Sequence, residues 1–133
     1  MHQWQRGRIR ILALSVTSTG AGNTDLSAQP SAGKWWLVYH MVAWQDDGAV
    51  AVQWGWTDAD SSKLAMHPAI ASLAANAQLP IGTVVTGNVQ AMMGPFRVTR
   101  SSYPVFTFAA SAITKHAYIR ALVEEFSHIP ESA

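Results

Sequence analysis

Lys34-Trp35-Trp36-Leu37-Val38-Tyr39-His40-Met41-Val42-Ala43-Trp44, followed by Gln45-Asp46-Asp47-Gly48 and then Val50-Ala51-Val52-Gln53-Trp54-Gly55-Trp56-Thr57, decides the fold. The first run is dense in aromatic and β-branched residues and is the strongest strand in the chain. Both of its alternating sets are apolar, Trp35/Leu37/Tyr39/Met41 on one side and Trp36/Val38/Val42/Trp44 on the other, so neither face suits open water. A central strand or a subunit interface would satisfy it. Asp47-Gly48 between two strand-like runs is a hairpin signal, which predicts that the second run pairs antiparallel with the first. In that second run Val50, Val52, Trp54 and Trp56 alternate with Ala51, Gln53, Gly55 and Thr57, giving one aromatic face and one small or polar face.

Working outward, residues 8–17 form a first aliphatic strand. The loop chemistry of Ser18-Thr19-Gly20-Ala21-Gly22-Asn23 then interrupts it, and Pro30 and Gly33 bracket the approach to residue 34. On the other side, Pro68 at a first-turn position with Ile70, Leu73, Ala74 and Ala77 at helical spacing predicts a short helix near 68–77, with an extended loop as the alternative. Residues 83–86, 89–92, 96–99, 105–108 and 117–126 are further strand candidates, broken by Gly87-Asn88, Met93-Gly94-Pro95, Ser101-Ser102 and the stretch 111–115. In the last of these Arg120 precedes Glu124, the less favourable order for a helical ion pair, and strand is the preferred reading. The pattern predicts an all-β chain: one antiparallel β-sandwich over 1–133 with seven to nine strands. Residues 1–33 supply the first strand and a long Gly/Ser/Pro loop, and 34–133 the main sandwich.

Composition bounds the function. Hydrophobic residues make up 49% of the chain and charged residues only 13%, which excludes intrinsic disorder and leaves a large apolar surface to bury, some of it against a partner. A net charge of +1 is too small a field to hold a polyanion, so no specific nucleic-acid binding is expected. The longest apolar run is far short of the ~20 residues of a membrane helix, and no membrane partner is expected. Arg6, Arg8 and Arg10 before Ile11-Leu12-Ala13-Leu14-Ser15-Val16 imitate a signal peptide, but the apolar stretch is shorter than the roughly 7–15 residues of such a core.

Chemistry-bearing patterns are sparse. With no Cys, thiol catalysis and disulfides are absent, and the five histidines show no metal-ligand spacing, so neither cofactor nor metal is expected. Asp58-Ala59-Asp60-Ser61-Ser62 opens like a calcium loop, but Lys63 stands where Gly is needed and Ala69 where a bidentate Glu is needed. There is no G-x-S-x-G elbow and no phosphate-binding loop. The adjacent pairs Asp46-Asp47 and Glu124-Glu125 point to opposite faces of a strand and cannot share a substrate. An enzyme is not expected. Six tryptophans in 133 residues are more than one small core takes, which points to a partner face. Candidate interface residues are Trp35, Trp36, Tyr39, Met41, Trp44, Trp54 and Trp56. Among the six tryptophans Trp36, Trp44 and Trp54 suit the core, while Trp4, Trp35 or Trp56 suits an oligomer contact. A sharper alternative stacks an exposed Trp on a sugar face, with Asp46, Asp58 or Gln53 accepting hydroxyl protons.

Pro30-Ser31-Ala32-Gly33-Lys34-Trp35-Trp36-Leu37-Val38, with the Asp-Gly turn and the closing Ala121-Leu122-Val123-Glu124-Glu125-Phe126, resembles small virion proteins of tailed bacteriophages, which are jelly-roll or related β-sandwiches. The resemblance implies a structural role: a homotrimeric capsid decoration or cement protein that stabilises the assembled shell. It would reside in the virion after synthesis in the host cytoplasm, with itself and the major capsid protein or another virion protein as partners. Arg6, Arg8 and Arg10 would then form an arm reaching an acidic shell surface, or simply blunt an edge strand. The alternatives are a tail-associated or lectin-like sandwich that binds a host-surface glycan, and a cellular sandwich used in protein–protein contact.

Overall fold

The computed structural model describes residues 7–20, 22–57, 63–66, 69–81, 83–86, 89–92 and 95–127. Strands β1 (Arg8–Thr17), β3 (Trp35–Gln45), β7 (Leu79–Pro80), β10 (Phe96–Val98) and β12 (His116–Phe126) form one antiparallel sheet. Its order is β1-β12-β3-β10, with β7 on the same edge of β3 as β10. A second sheet, in the order β2-β11-β4-β5, contains β2 (Thr24–Ser27), β11 (Tyr103–Phe108), β4 (Val50–Thr57) and β5 (Lys63–Met66), with β6 (Ile70–Leu73) also on β4. Strands β8 (Thr83–Thr86) and β9 (Val89–Met92) make a separate two-stranded ribbon. No helix occurs among the described residues, and the chain is the all-β antiparallel sandwich expected from its pattern. The two main sheets hold nine strands of three residues or more, besides the two-residue β7.

The pairings obey one simple register. Arg8 pairs with Glu125, Thr24 with Phe108 and Trp36 with Val98, so in these three ladders the two residue numbers add to 132–134. The chain is thus one long hairpin, doubled on itself and rolled so that β12 also pairs β3 and β11 also pairs β4. That is jelly-roll topology.

The core lies between the sheets. Trp36, Val38, Met41 and Ala43 of β3 and Ala117, Ile119, Ala121 and Val123 of β12 meet Val52 and Trp54 of β4 and the fully buried Phe106 and Phe108 of β11. Small residues on β12 leave volume for the rings of the opposite sheet, the interdigitation that fills a sandwich to native density. The aromatic face expected of β4 is the inward one: Val50 and Trp56 also pack against this cluster.

Four sequence expectations change in the structure. The stretch read as a long Gly/Ser/Pro loop before residue 34 contains strand β2, Thr24–Ser27, which pairs with β11. The Asp47-Gly48 turn is not a hairpin, because β3 and β4 lie in different sheets and Gly48 is not among the glycines with positive φ. Side chains hold it as an arch instead. The Gln45 Nε2 donates to the carbonyls of Leu73 (2.8 Å) and Gly48 (3.2 Å), and its Oε1 accepts from the Asp47 backbone N–H (2.6 Å). Asp47 accepts from the Gly48 and Ser111 N–H groups, and Asp46 from the His116 N–H and Nδ1. Of the helix expected near 68–77, Pro68 lies outside the described residues and the rest is replaced by β6 and a turn at 74–77. Ile70 and Leu73, three apart, are both partly buried because they cover the free edge of β4, and Asn76 takes a left-handed φ of 64°. Finally, β3 carries a bulge: Val38 pairs Val123 and His40 pairs Leu122, leaving Tyr39 as the extra residue. The slip exchanges faces, so Met41 and Ala43 join Trp36 and Val38 inside, while Val42 and Trp44 turn out with Trp35.

The arch yields two expectations. Gln45 is fully buried, so Gln45→Leu strands three backbone groups and lowers stability by about 2–4 kcal/mol, read by chemical denaturation. Burial acts to raise the Asp46 carboxyl, but His116 outweighs it and holds Asp46 below the usual carboxylate range. Ser111 chiefly does the same for Asp47. A carboxylate depressed in the folded state favours folding above its unfolded pKa of about 3.9 and loses that contribution as pH falls through the folded value. The melting temperature should therefore fall below about pH 4, and Asp46→Asn/Asp47→Asn should flatten that limb while lowering the plateau.

Candidate interaction surface

The outer face of the β1-β12-β3 sheet is apolar and open. Alternation sends Ile9 and Ile11 of β1 outward at 62% and 78% exposure, beside Leu122 of β12 at 40% and the bulged Tyr39 at 38%. Aromatic pairs mark its two ends. Trp35 stacks on Phe126 with centroids 4.3 Å apart, and Trp44 stacks on Tyr118 at 5.4 Å. Arg120 lies against the second pair, its guanidinium 5.3 Å from the Trp44 ring and 5.8 Å from that of Tyr118, so a cation caps the aromatics without needing an acid. Between the two pairs lies a shallow dent of about 260 Å³ lined by Ile11, His40, Val42, Arg120, Ala121 and Leu122. Apolar surface of this kind on one sheet face is what an interaction site needs.

Glu124 and Glu125 diverge as the strand geometry requires: Glu125 ties β12 to β3 and β1, and Glu124 ties it to β3 and to the residue before β1. On the outer side the Glu124 carboxylate accepts from the Tyr39 hydroxyl (2.8 Å) and the Gly7 backbone N–H (3.0 Å). On the inner side Glu125 accepts from the Trp36 indole (2.8 Å) and Arg10 (2.6 Å). The tyrosine bulge is thus fastened to β12.

The residues singled out from sequence divide. Trp35, Tyr39 and Trp44 lie on the outer face, whereas Trp36, Met41 and Trp54 are buried between the sheets. Trp44, assigned above to the core, is outside it because of the bulge. Trp56 packs edge-on to Phe96 at 5.8 Å, against the other sheet's strands. Arg8 and Arg10 are part of the β1 ladder and Arg10 is ion-paired, so at these two positions the basic segment is a strand and not a projecting arm. Arg6, like Trp4, lies outside the described residues. So does the calcium-like stretch 58–62. Among the described residues no three His, Cys, Asp or Glu side chains converge as metal ligands, and no helix is long and apolar enough to cross a membrane. Of the acceptors named for the sugar-binding alternative, Asp46 is half-buried with each oxygen bonded to His116, and Asp58 lies outside the described residues. Sequence reasoning missed Ile9, Ile11, Leu122 and Arg120, although the alternation of 8–17 and 117–126 contained them.

No protein-family model, curated protein or solved structure matches this chain.

The Tyr39–Glu124 contact makes the surface readable by titration. The carboxylate beside the hydroxyl raises the Tyr39 pKa above its ordinary 10.0. In an ultraviolet titration, the component lost in Tyr39→Phe should ionise later than free tyrosine, and Glu124→Gln should return it toward the ordinary value.

Proposed function

We propose that this protein is a structural assembly protein that acts by surface contact, most specifically a decoration or cement component of a virion shell. The observation that carries the reading is the outer face of β1-β12-β3, where Ile9, Ile11, Tyr39 and Leu122 stand exposed beside Trp44 and Tyr118. Jelly-roll topology and a charge-poor composition are compatible with permanent assembly, whose interfaces resemble a domain core cut in half. The virion assignment itself rests on the sequence resemblance. On this reading the protein stabilises a shell by binding only the assembled lattice, which is linkage and requires no catalytic group.

Immunogold electron microscopy on particles from the source tests this directly: regular labelling over the head is expected, and the absence of any labelled particle would overturn the virion reading. In add-back binding, Ile11→Lys/Leu122→Lys should reduce particle occupancy about tenfold or more, since each apolar side chain buried in a contact contributes about 1.5 kcal/mol or more. Both positions are solvent-facing, so the melting temperature should hold.

A further inference from the structure

We propose that two copies of this chain join edge to edge through β1, antiparallel about a two-fold axis at Ala13, to make one continuous sheet. The inference rests on the assembly reading above and names the self-contact within it. It replaces the trimer that the resemblance implies by an isologous pair, because a two-fold edge contact closes at two.

Hydrogen-bond parity decides which backbone groups of β1 are left facing outward. The Ser18 N–H donates to the Lys115 carbonyl, and the Asp46 N–H to the His116 carbonyl. Both continue their ladders in register, so even-numbered residues of β12 turn their backbone groups to β3 and odd-numbered ones to β1. Along β1 the even-numbered residues therefore bond β12. The N–H and C=O groups of Ile9, Ile11, Ala13, Ser15 and Thr17 point the other way, and all five residues are exposed. Strand β1 pairs with no other strand among the described residues.

The guards against pairing on this edge are confined to its first residues, Arg8 and Arg10; residues 11–17 carry no charge. It runs ten residues with no proline, its register with β12 is unbroken, and it carries no lysine. Its charges select the partner and the direction. Arg8 and Arg10 lie in the first half and no charge lies in the second, so a parallel copy would set arginine against arginine. An antiparallel copy centred on Ala13 sets Arg10 against the second copy's Val16, Ile11 against its Ser15 and Ile9 against its Thr17. Leu12 then meets the second copy's Leu14, which extends the inner apolar face, and the smallest side chain of the set sits on the axis. The exposed Ile9 and Ile11 of both copies fall on one outer surface, joining the two apolar faces.

The absence of cysteine makes the register measurable. Sedimentation or native mass spectrometry of the wild-type chain should give a dimer at about 100 µM; a monomer overturns the proposal. Ala13→Cys should cross-link on mild oxidation, because directly opposed hydrogen-bonded residues have Cα atoms about 5.5 Å apart, within reach of a disulfide. Thr17→Cys should not, since the two copies of that residue would lie roughly 27 Å apart. Cross-linking of Thr17→Cys, or failure of Ala13→Cys, overturns the register. Ala13→Pro removes the outward N–H of each copy and leaves the β12 ladder intact, so it should weaken dimerisation at least about tenfold. Should that variant not fold, Ile11→Glu/Ser15→Glu supplies the same readout by opposing like charges, and Ile11→Glu/Ser15→Lys should restore the dimer. A dimer that persists in the first double variant overturns the proposal. Particle labelling is read separately: labelled particles with a monomeric protein would leave the assembly reading standing and remove only the edge contact.

Discussion

Strand β12 occupies the one position on which the rest of this fold depends. It lies between β1 and β3, pairing ten residues of each, and so joins the first strand of the sandwich to its longest central strand. Its inward residues are Ala117, Ile119, Ala121 and Val123, narrow enough for Phe106, Phe108 and Trp54 to fill the layer from the opposite sheet. Its outward residues build the apolar face. Its adjacent glutamates, aimed to opposite sides by the pleat, fasten Gly7 and Tyr39 outside and Arg10 and Trp36 inside. A single strand thereby sets the packing, the exposed surface and the register of both neighbours.

The two central strands share an architecture. One edge of β3 is fully laddered by β12, and its other edge is covered piecewise by β10 and β7; one edge of β4 is laddered by β11 and the other by β5 and β6. Short strands therefore protect the interior of both sheets, and among the described residues β1 is left with one edge unpaired. Polar chemistry is concentrated at the arch between β3 and β4, where the buried Gln45 and Asp47 and the half-buried Asp46 bond backbone groups of the arch itself and of Leu73, Ser111 and His116. These bonds hold the arch, because polar groups buried there must be paired within the protein.

Much of this was legible in the sequence, and the misreadings share one cause. Alternation over 8–17, 50–57 and 117–126 located strands and identified the inward aromatic side of β4. Local pattern does not report which sheet receives the next strand, so Asp47-Gly48 read as a hairpin although Gln45 folds it into an arch. Ile70 and Leu73 carry helical spacing, yet the need to cover the edge of β4 outweighs a weak local preference. In β3 both faces are apolar, so nothing in the pattern reveals the extra residue at Tyr39, and the faces of Met41, Val42 and Trp44 follow only once β12 fixes the register. The outer face was half-visible for the same reason: tryptophan drew attention, while Ile9, Ile11 and Leu122 are ordinary strand residues until their neighbours are known.

The nested register also sets an order in time. Partners near the middle of the chain, such as Gly55 and Met66, are close in sequence, whereas Gly7 and Glu124 are 117 residues apart. Closing a long loop from the unfolded chain is entropically costly, but each inner ladder, once formed, shortens the loop left for the next. Loop entropy therefore favours zipping of the rolled hairpin from its fold toward its two ends, with β1 docking last. A topology so dominated by non-local pairs folds slowly, and throughout that interval β12 waits with one edge unfilled. A nascent chain is thus exposed to pairing with the β1 of a neighbour in place of its own, an exchange of strands between molecules written into the order of assembly.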